Sequence, residues 1–156
     1  DNIIRVGSAG AISPKLKLRD VVMAQGACTD SNYPHQFGLP GLFAPIADFR
    51  LLETAVAVAR RMGVEPPVGN LLSSDVFYDK SGRTMEWGAM GVLAVEMETA
   101  ALYCNAAEAG KRALTICTVS DSLVTGEELS AADRQTTFTR MMEISLETAV
   151  EMAKQP

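Results

Sequence analysis

The stretch Ile3-Ile4-Arg5-Val6-Gly7-Ser8-Ala9-Gly10 decides the fold, because a predicted buried strand runs directly into a loop of small residues. Glycine carries no Cβ, so such a loop lets an anion approach the backbone N–H groups. Arg5 can add a fixed positive charge, and Ser8 a neutral hydrogen-bond donor. The pattern predicts an anion site at the tip of the first strand. Because the chain opens in mid-strand without a methionine, we interpret it as the later part of a larger protein.

Outward from this stretch, apolar runs alternate with amphipathic segments. Strands are predicted at residues 3–7, 21–28, 68–77, 91–97 and 113–119. Helices are predicted at 48–63, 85–90, 99–109 and 130–154, with a long surface loop at 30–45. Near-continuous apolar strands that alternate with helices are typical of an α/β layered fold around a central sheet. We expect a single domain over residues 1–156, incomplete on its amino-terminal side.

The predicted last helix begins with a capping-box pattern, in which Ser130 is followed three residues later by Asp133. We expect it to continue without a break to about Lys154. Its predicted inner face consists of Phe138, Met142, Ser145, Ala149 and Met152.

Composition limits the possible partners. The chain of 156 residues is 47% hydrophobic and 21% charged, which favours a packed core over disorder. A net charge of −5 argues against a nucleic-acid or membrane surface. Cys28, Cys104 and Cys117 are an odd number without close spacing, so we interpret them as reduced thiols of a cytoplasmic protein. With one histidine, His35, and no CxxC pair, we expect no metal site.

Polar residues follow several of the predicted strands, and ligands of open α/β sheets bind beyond the carboxyl ends of strands. Asp121 follows an apolar run, where partial desolvation would help it retain a proton and act as a general acid; capping of the following turn is equally compatible with its position. Arg134 lies in a predicted first helical turn, where a cation opposes the helix dipole. That placement suggests a partner, for which Asp121 is the candidate, although a solvated arginine is the simpler interpretation.

Glu96 and Glu98 lie two residues apart at a predicted strand-to-helix junction. If both belong to the strand, their side chains share a face, and a carboxylate there could accept from two adjacent hydroxyls of a sugar. Alternatively, Glu98 lies in the first helical turn and interacts favourably with the helix dipole. Because apolar residues that look buried precede Glu96, a solvated surface position explains its carboxylate less well than that of Glu98.

Six ordered motifs cover the chain: Ile4–Gly10, Leu18–Val22, Gly26–Ser31, Val95–Glu98, Thr115–Asp121 and Arg134–Phe138. Together they resemble the carboxyl-terminal portion of the bacterial hexameric (DeoD-type) purine nucleoside phosphorylases. The resemblance implies phosphorolysis of purine (deoxy)ribonucleosides to free purine and pentose 1-phosphate, in purine salvage. It also implies a three-layer α/β/α sandwich of the phosphorylase/hydrolase-like type with a mixed, distorted central sheet. The resemblance further implies that inorganic phosphate is a co-substrate and that no cofactor is needed. The implied oligomer is a hexamer built as a trimer of dimers.

The resemblance also implies roles for individual residues. Arg5 and Ser8 match phosphate-binding positions, and Asp121 matches the acid that protonates purine N7. Arg134 matches an arginine that pairs with that aspartate when the last helix rearranges. The positions that match the nucleoside site are Phe77 beside the base, Val95, Glu96, Met97 on the sugar, Glu98 on the ribose hydroxyls, and Ser120.

Two departures from the family accompany the resemblance. The family's amino-terminal portion, which carries further phosphate ligands, has no counterpart in this sequence, and Ser122 stands where many members have histidine. We expect Ser122 to change the polarity of the base site. Two alternatives remain: a nucleosidase that hydrolyses methylthioadenosine or adenosylhomocysteine, against which Arg5 argues, and an inactive nucleoside-binding fragment. Uridine phosphorylase would need a Gln/Arg pair that has no counterpart near Phe77.

Overall fold

The computed structural model describes residues 1–154, and for Thr137 it describes only the backbone. Gln155 and Pro156, at the end of the predicted domain, lie outside the described residues. The strands are β1 (Asn2–Ala11), β2 (Val21–Thr29), β3 (Val68–Ser73), β4 (Ala94–Glu96) and β5 (Arg112–Ser122). The α-helices are α1 (Phe49–Arg61), α2 (Thr84–Ala89), α3 (Thr99–Glu108), α4 (Ala131–Thr137) and α5 (Thr139–Ala153). A short 3₁₀ helix covers Tyr33–Phe37.

The strands form one mixed sheet in the order β1-β4-β3-β2-β5, and β1 pairs with β5 to close it into a barrel. The β1–β5, β2–β3 and β3–β4 pairs are parallel, whereas β1–β4 and β2–β5 are antiparallel. The predicted α/β class and mixed sheet are therefore confirmed. Because β1 and β5 run parallel over ten paired positions, their carboxyl ends emerge side by side.

Helices pack on both faces of this sheet. One buried cluster joins α1 and α5 to the strands through residues such as Leu51, Leu114 and Ile144. A second cluster includes Tyr103 of α3 and Cys117 of β5. Of the helices within residues 1–154, none combines the length and the apolar character that crossing a membrane requires.

Tyr103 ties α3 to the sheet through its hydroxyl, which donates to the Ala24 carbonyl at 2.7 Å and accepts from the Thr115 N–H at 2.9 Å. Tyr103→Phe leaves two buried backbone groups without this partner, so we expect the free energy of unfolding in urea to fall by about 2–3 kcal/mol. Tyr33→Phe is the matched control, because its hydroxyl bonds to Asn105 at an exposed site. Equal losses in the two variants would contradict this account of the core.

Several predicted element boundaries were wrong. β1 extends beyond residue 7 to Ala11, because its pairing with β5 continues past the glycines. β5 continues through Ser122, so Asp121 belongs to the strand and does not cap a turn. β4 has three residues where seven were predicted, and Gly91 before it has a left-handed backbone with φ 87°.

The predicted continuous last helix is two helices, α4 and α5, which meet at Phe138. The capping signal was correct, since the Ser130 hydroxyl accepts from the Asp133 N–H at 3.1 Å. The predicted inner face was partly wrong, because α5 starts afresh at Thr139. Its buried residues are Met141, Ile144, Ser145, Thr148 and Met152, whereas Met142 and Ala149 are exposed.

Candidate active site

A cleft of about 800 Å³ opens where the carboxyl ends of β1 and β5 meet the start of α3 and the segment before α2. It brings together all ten side chains that the sequence singled out: Arg5, Ser8, Phe77, Val95, Glu96, Met97, Glu98, Ser120, Asp121 and Arg134. These residues come from five separate parts of the chain. Parallel pairing of β1 with β5 places Asp121 beside Gly10, and antiparallel pairing of β1 with β4 leads the residues after Val95 back along β1 toward Arg5.

The glycines of β1 make room for two charged side chains. A Cβ on Gly7 would lie 3.1 Å from the Arg5 guanidinium, which folds back over this residue. A Cβ on Gly10 would lie 2.7 Å from the Asp121 carboxylate. The cleft is therefore lined by a cation and by a carboxylate, each lying over a glycine of β1.

Arg5 is held by three neighbours. Its Nη1 donates to the Cys117 sulfur at 3.2 Å, its Nη2 lies 3.3 Å from a Glu96 oxygen, and the same nitrogen pairs with Glu98. Burial opposes the charge of Arg5, but Cys117, Glu96 and Glu98 outweigh that effect and raise its pKa. Burial raises the pKa of the Cys117 thiol to about 12, so near neutral pH this neighbour is an uncharged acceptor.

Ser8, which was predicted to bind phosphate together with Arg5, is exposed on the cleft. Within the described residues its hydroxyl has no hydrogen-bond partner. It is therefore available to a ligand at the same end of the cleft as Arg5.

Glu98 occupies the position before the first residue of α3, outside β4. Of the two alternatives for Glu98, the shared strand face is excluded, and its carboxylate lies at the start of α3. The Glu98 side chain is 60% exposed and reaches Arg5 across the cleft, whereas the Glu96 side chain is 1% exposed. The two carboxylates thus lie in different environments: Glu98 can exchange partners with a ligand, and Glu96 is enclosed.

A bulge in β5 sets the position of Asp121. Ala9 pairs with Val119 and Gly10 pairs with Asp121, so Ser120 is the extra residue. Bulges of this kind redirect side chains and are frequent beside active sites. The Ser120 hydroxyl donates to Asp121 Oδ1 at 2.6 Å. In the described part of the chain Oδ2 has no side-chain partner, and this oxygen lies above Gly10.

Arg134 reaches the cleft because the chain turns back after β5. Asp121 forms a backbone bridge with Glu128, and α4 then begins after Ser130. The Arg134 guanidinium donates to the Leu129 carbonyl at 3.1 Å and lies 3.7 Å from Glu128. Arg134 and Asp121 line the same cleft, but the described structure shows no direct contact between them.

The aromatic side of the cleft is formed by the segment between β3 and α2. Phe77 and Tyr78 are strongly exposed, and their rings pack edge to face at 4.9 Å. Asp79 fixes the following turn by accepting from Ser81 and Thr84, which holds the pKa of Asp79 well below its usual range.

Sequence reasoning missed several further lining residues, among them Tyr78, Thr84, Met85 and Leu123. Only Tyr78 carried a signal, as a second aromatic beside Phe77. Ser122, expected to change the polarity of the base site, is buried, and its hydroxyl accepts from Thr125 outside the residues that line the cleft. The position of Ser122 does not support that expectation.

The sequence of the chain matches a known family. A profile of the phosphorylase superfamily matches residues 1–154, and the chain belongs to that superfamily. The chain is 49% identical over 148 residues to the DeoD-type purine nucleoside phosphorylase of Geobacillus kaustophilus, and 51% identical over 152 residues to that of Bacillus cytotoxicus. The resemblance inferred from the six motifs is confirmed.

These alignments cover 95% and 96% of this chain but 63% and 64% of the two relatives, so the chain spans less than two thirds of their length. Among solved structures, one titled as a P. knowlesi homolog of P. falciparum PNP superposes with a TM-score of 0.84 at 28% identity. That superposition covers all of this chain and 64% of the solved one.

Proposed function

We propose that the protein is a purine nucleoside phosphorylase, which converts a purine (deoxy)ribonucleoside and phosphate into free purine and (deoxy)ribose 1-phosphate. The observation that carries this proposal is the placement of Arg5 and Asp121 in one cleft. A pentose between these two side chains would have phosphate on one side and its base on the other. The similarity to DeoD-type relatives supports the same reaction.

Asp121 is the proposed general acid. A purine leaves poorly as an anion, so protonation of N7 during bond cleavage lowers the barrier. The Ser120 hydroxyl occupies Oδ1, which leaves Oδ2 to carry the transferred proton. Phe77 and Val95 would contact the base, and Arg134 would pair with Asp121 after a movement of α4 that frees it from Leu129.

Phosphate is the proposed nucleophile. Cleavage of a glycosidic bond develops oxocarbenium character in the sugar, which a nearby anion stabilises and then captures. Arg5 and Ser8 would hold that anion, Glu98 would accept from the ribose hydroxyls, and Met97 would pack on the sugar. Phosphate would compete with Glu98 for Arg5, since these two side chains form an ion pair.

Dependence of nucleoside cleavage on phosphate tests this function. With inosine and adenosine as substrates, we expect cleavage to require phosphate and to yield pentose 1-phosphate, measured by separating the sugar products. Equal rates with and without phosphate would indicate the nucleosidase alternative. Binding of nucleoside without any turnover would indicate the inactive binding fragment. A specific observation favours this alternative: Glu96 and Glu98 already neutralise the charge of Arg5 that phosphate would need.

The same proposal covers the location and assembly of the protein. We propose that it is a cytoplasmic homohexamer that acts on small substrates, without a membrane or nucleic-acid partner. The free thiols of Cys28, Cys104 and Cys117 support a reducing compartment. Burial clusters on both faces of the sheet support assigning the fold to the three-layer α/β/α type as one domain over residues 1–156.

A further inference from the structure

The enclosed carboxylate of Glu96 contacts three separate elements of the fold. Its Oε1 accepts from the Ser73 hydroxyl at 2.5 Å, and its Oε2 accepts from the backbone N–H groups of Glu98 and Thr99, each at 3.0 Å. Arg5 Nη2 lies 3.3 Å from Oε2. One side chain thus joins β1, β3 and the start of α3. With both oxygens occupied and 1% of the side chain exposed, it offers no free face to a ligand.

Ser73 supports this arrangement from beneath. Its hydroxyl donates to Glu96 and accepts from the Ala100 N–H at 2.8 Å, so both of its hydrogen-bonding roles are used. Ser73 is buried and pairs with Glu96 in the β3–β4 register. Rotation of the Glu96 carboxylate would therefore break bonds on two elements at once.

We propose that Glu96, supported by Ser73, is a positioning residue that fixes Arg5 and Glu98 relative to each other. This inference rests on the proposed function, in which Arg5 binds phosphate and Glu98 binds the pentose. Glu96 contacts the guanidinium of Arg5 directly and holds Glu98 through its backbone N–H. A single carboxylate thereby sets the distance between the two substrates, and it acts without touching either of them.

This role replaces the direct nucleoside contact that the sequence suggested for Glu96, and the two roles differ in what they affect. A direct nucleoside ligand affects nucleoside binding alone. A positioning residue affects phosphate binding and nucleoside binding together, since both Arg5 and Glu98 lose an anchor.

The test measures the two affinities separately by calorimetry, with inorganic phosphate and with inosine, in the wild type and in Ser73→Ala. Loss of the two hydrogen bonds of the Ser73 hydroxyl, one to Glu96 and one from the Ala100 N–H, is expected to weaken each affinity by roughly fivefold. Ser145→Ala is the matched control: it also removes a buried hydroxyl, one that bonds to the Met141 carbonyl within α5, away from the cleft. We expect it to leave both affinities unchanged.

Glu96→Gln provides a second variant and a readout that needs no ligand. Glutamine has one acceptor oxygen in place of two and no charge, so its bonds from the N–H groups of Glu98 and Thr99 are weaker than those of the carboxylate, and the hydrogen exchange of these groups is expected to accelerate relative to the wild type. Weakened inosine binding with unchanged phosphate binding would overturn the inference and restore the direct contact. Unchanged exchange and unchanged affinities in both variants would overturn it as well.

These outcomes are separable from the proposed function. Binding of both ligands without phosphorolysis would refute the proposed function but would leave the positioning role to be decided by the affinities. A wild-type protein that binds neither ligand would overturn both, because Arg5 and Glu98 would then have no substrates to be positioned for.

Discussion

Asp121→Asn is expected to lower kcat/KM for inosine by about 10²–10⁴-fold, the usual contribution of a general acid. Asparagine keeps the shape of the side chain and the bond from the Ser120 hydroxyl. It cannot deliver a proton to purine N7, so the base must leave as an anion. Steady-state kinetics in saturating phosphate measure this loss.

A substrate that needs no proton separates the acid role from a structural one. In 7-methylguanosine the alkylated base is already cationic, so Asp121→Asn is expected to affect its cleavage much less. Asp20→Asn is the matched control, because this carboxylate accepts from the Lys17 N–H outside the residues that line the cleft. If both substrates lost activity equally in Asp121→Asn, the assignment of Asp121 as the acid would be refuted.

Arg5→Ala is expected to raise the KM for phosphate by roughly 10–100-fold, with a much smaller change in the KM for nucleoside. The magnitude corresponds to charge-assisted hydrogen bonds of about 1.5–3 kcal/mol. The variant also removes the partner of Glu98 and one neighbour of the enclosed Glu96, so its thermal stability must be measured alongside. Initial rates over a matrix of both substrate concentrations give the two constants.

Arg112→Ala is the matched arginine variant, since Arg112 is exposed at the other end of β5 and contacts Asn2. It is expected to leave both constants unchanged. If Arg5→Ala raised the nucleoside KM without raising the phosphate KM, Arg5 would bind the nucleoside, and its assignment to phosphate would be refuted.

Much of this site could be predicted from the sequence because its residues follow short apolar strands. Parallel pairing brings the ends of β1 and β5 together, as expected for polar residues near strand ends. The residues after β4 join them through antiparallel pairing with β1, which the sequence pattern did not show. Local signals were also reliable where one residue decides the geometry. Asp48 caps α1 through the Leu51 N–H, and Gly63 ends it with φ 75°.

Features that depend on pairing between distant residues could not be predicted. Arg5 and Glu98 are separated by 93 positions, and no local pattern shows that they form an ion pair. The bulge at Ser120 arises from the register of β1 against β5. Likewise, the enclosed position of Glu96 results from Ser73 and the start of α3, so the sequence alone grouped Glu96 with the ligand-binding residues.

The central claim is that phosphate and base occupy opposite ends of one cleft, with the pentose between Arg5 and Asp121. A crystal structure of the protein with inorganic phosphate and a non-cleavable purine nucleoside analogue tests this claim most directly. We expect phosphate oxygens within about 3 Å of the Arg5 guanidinium and the Ser8 hydroxyl, and purine N7 within about 3 Å of Asp121 Oδ2. A base bound at the Arg5 end, or phosphate bound outside the cleft, would contradict it.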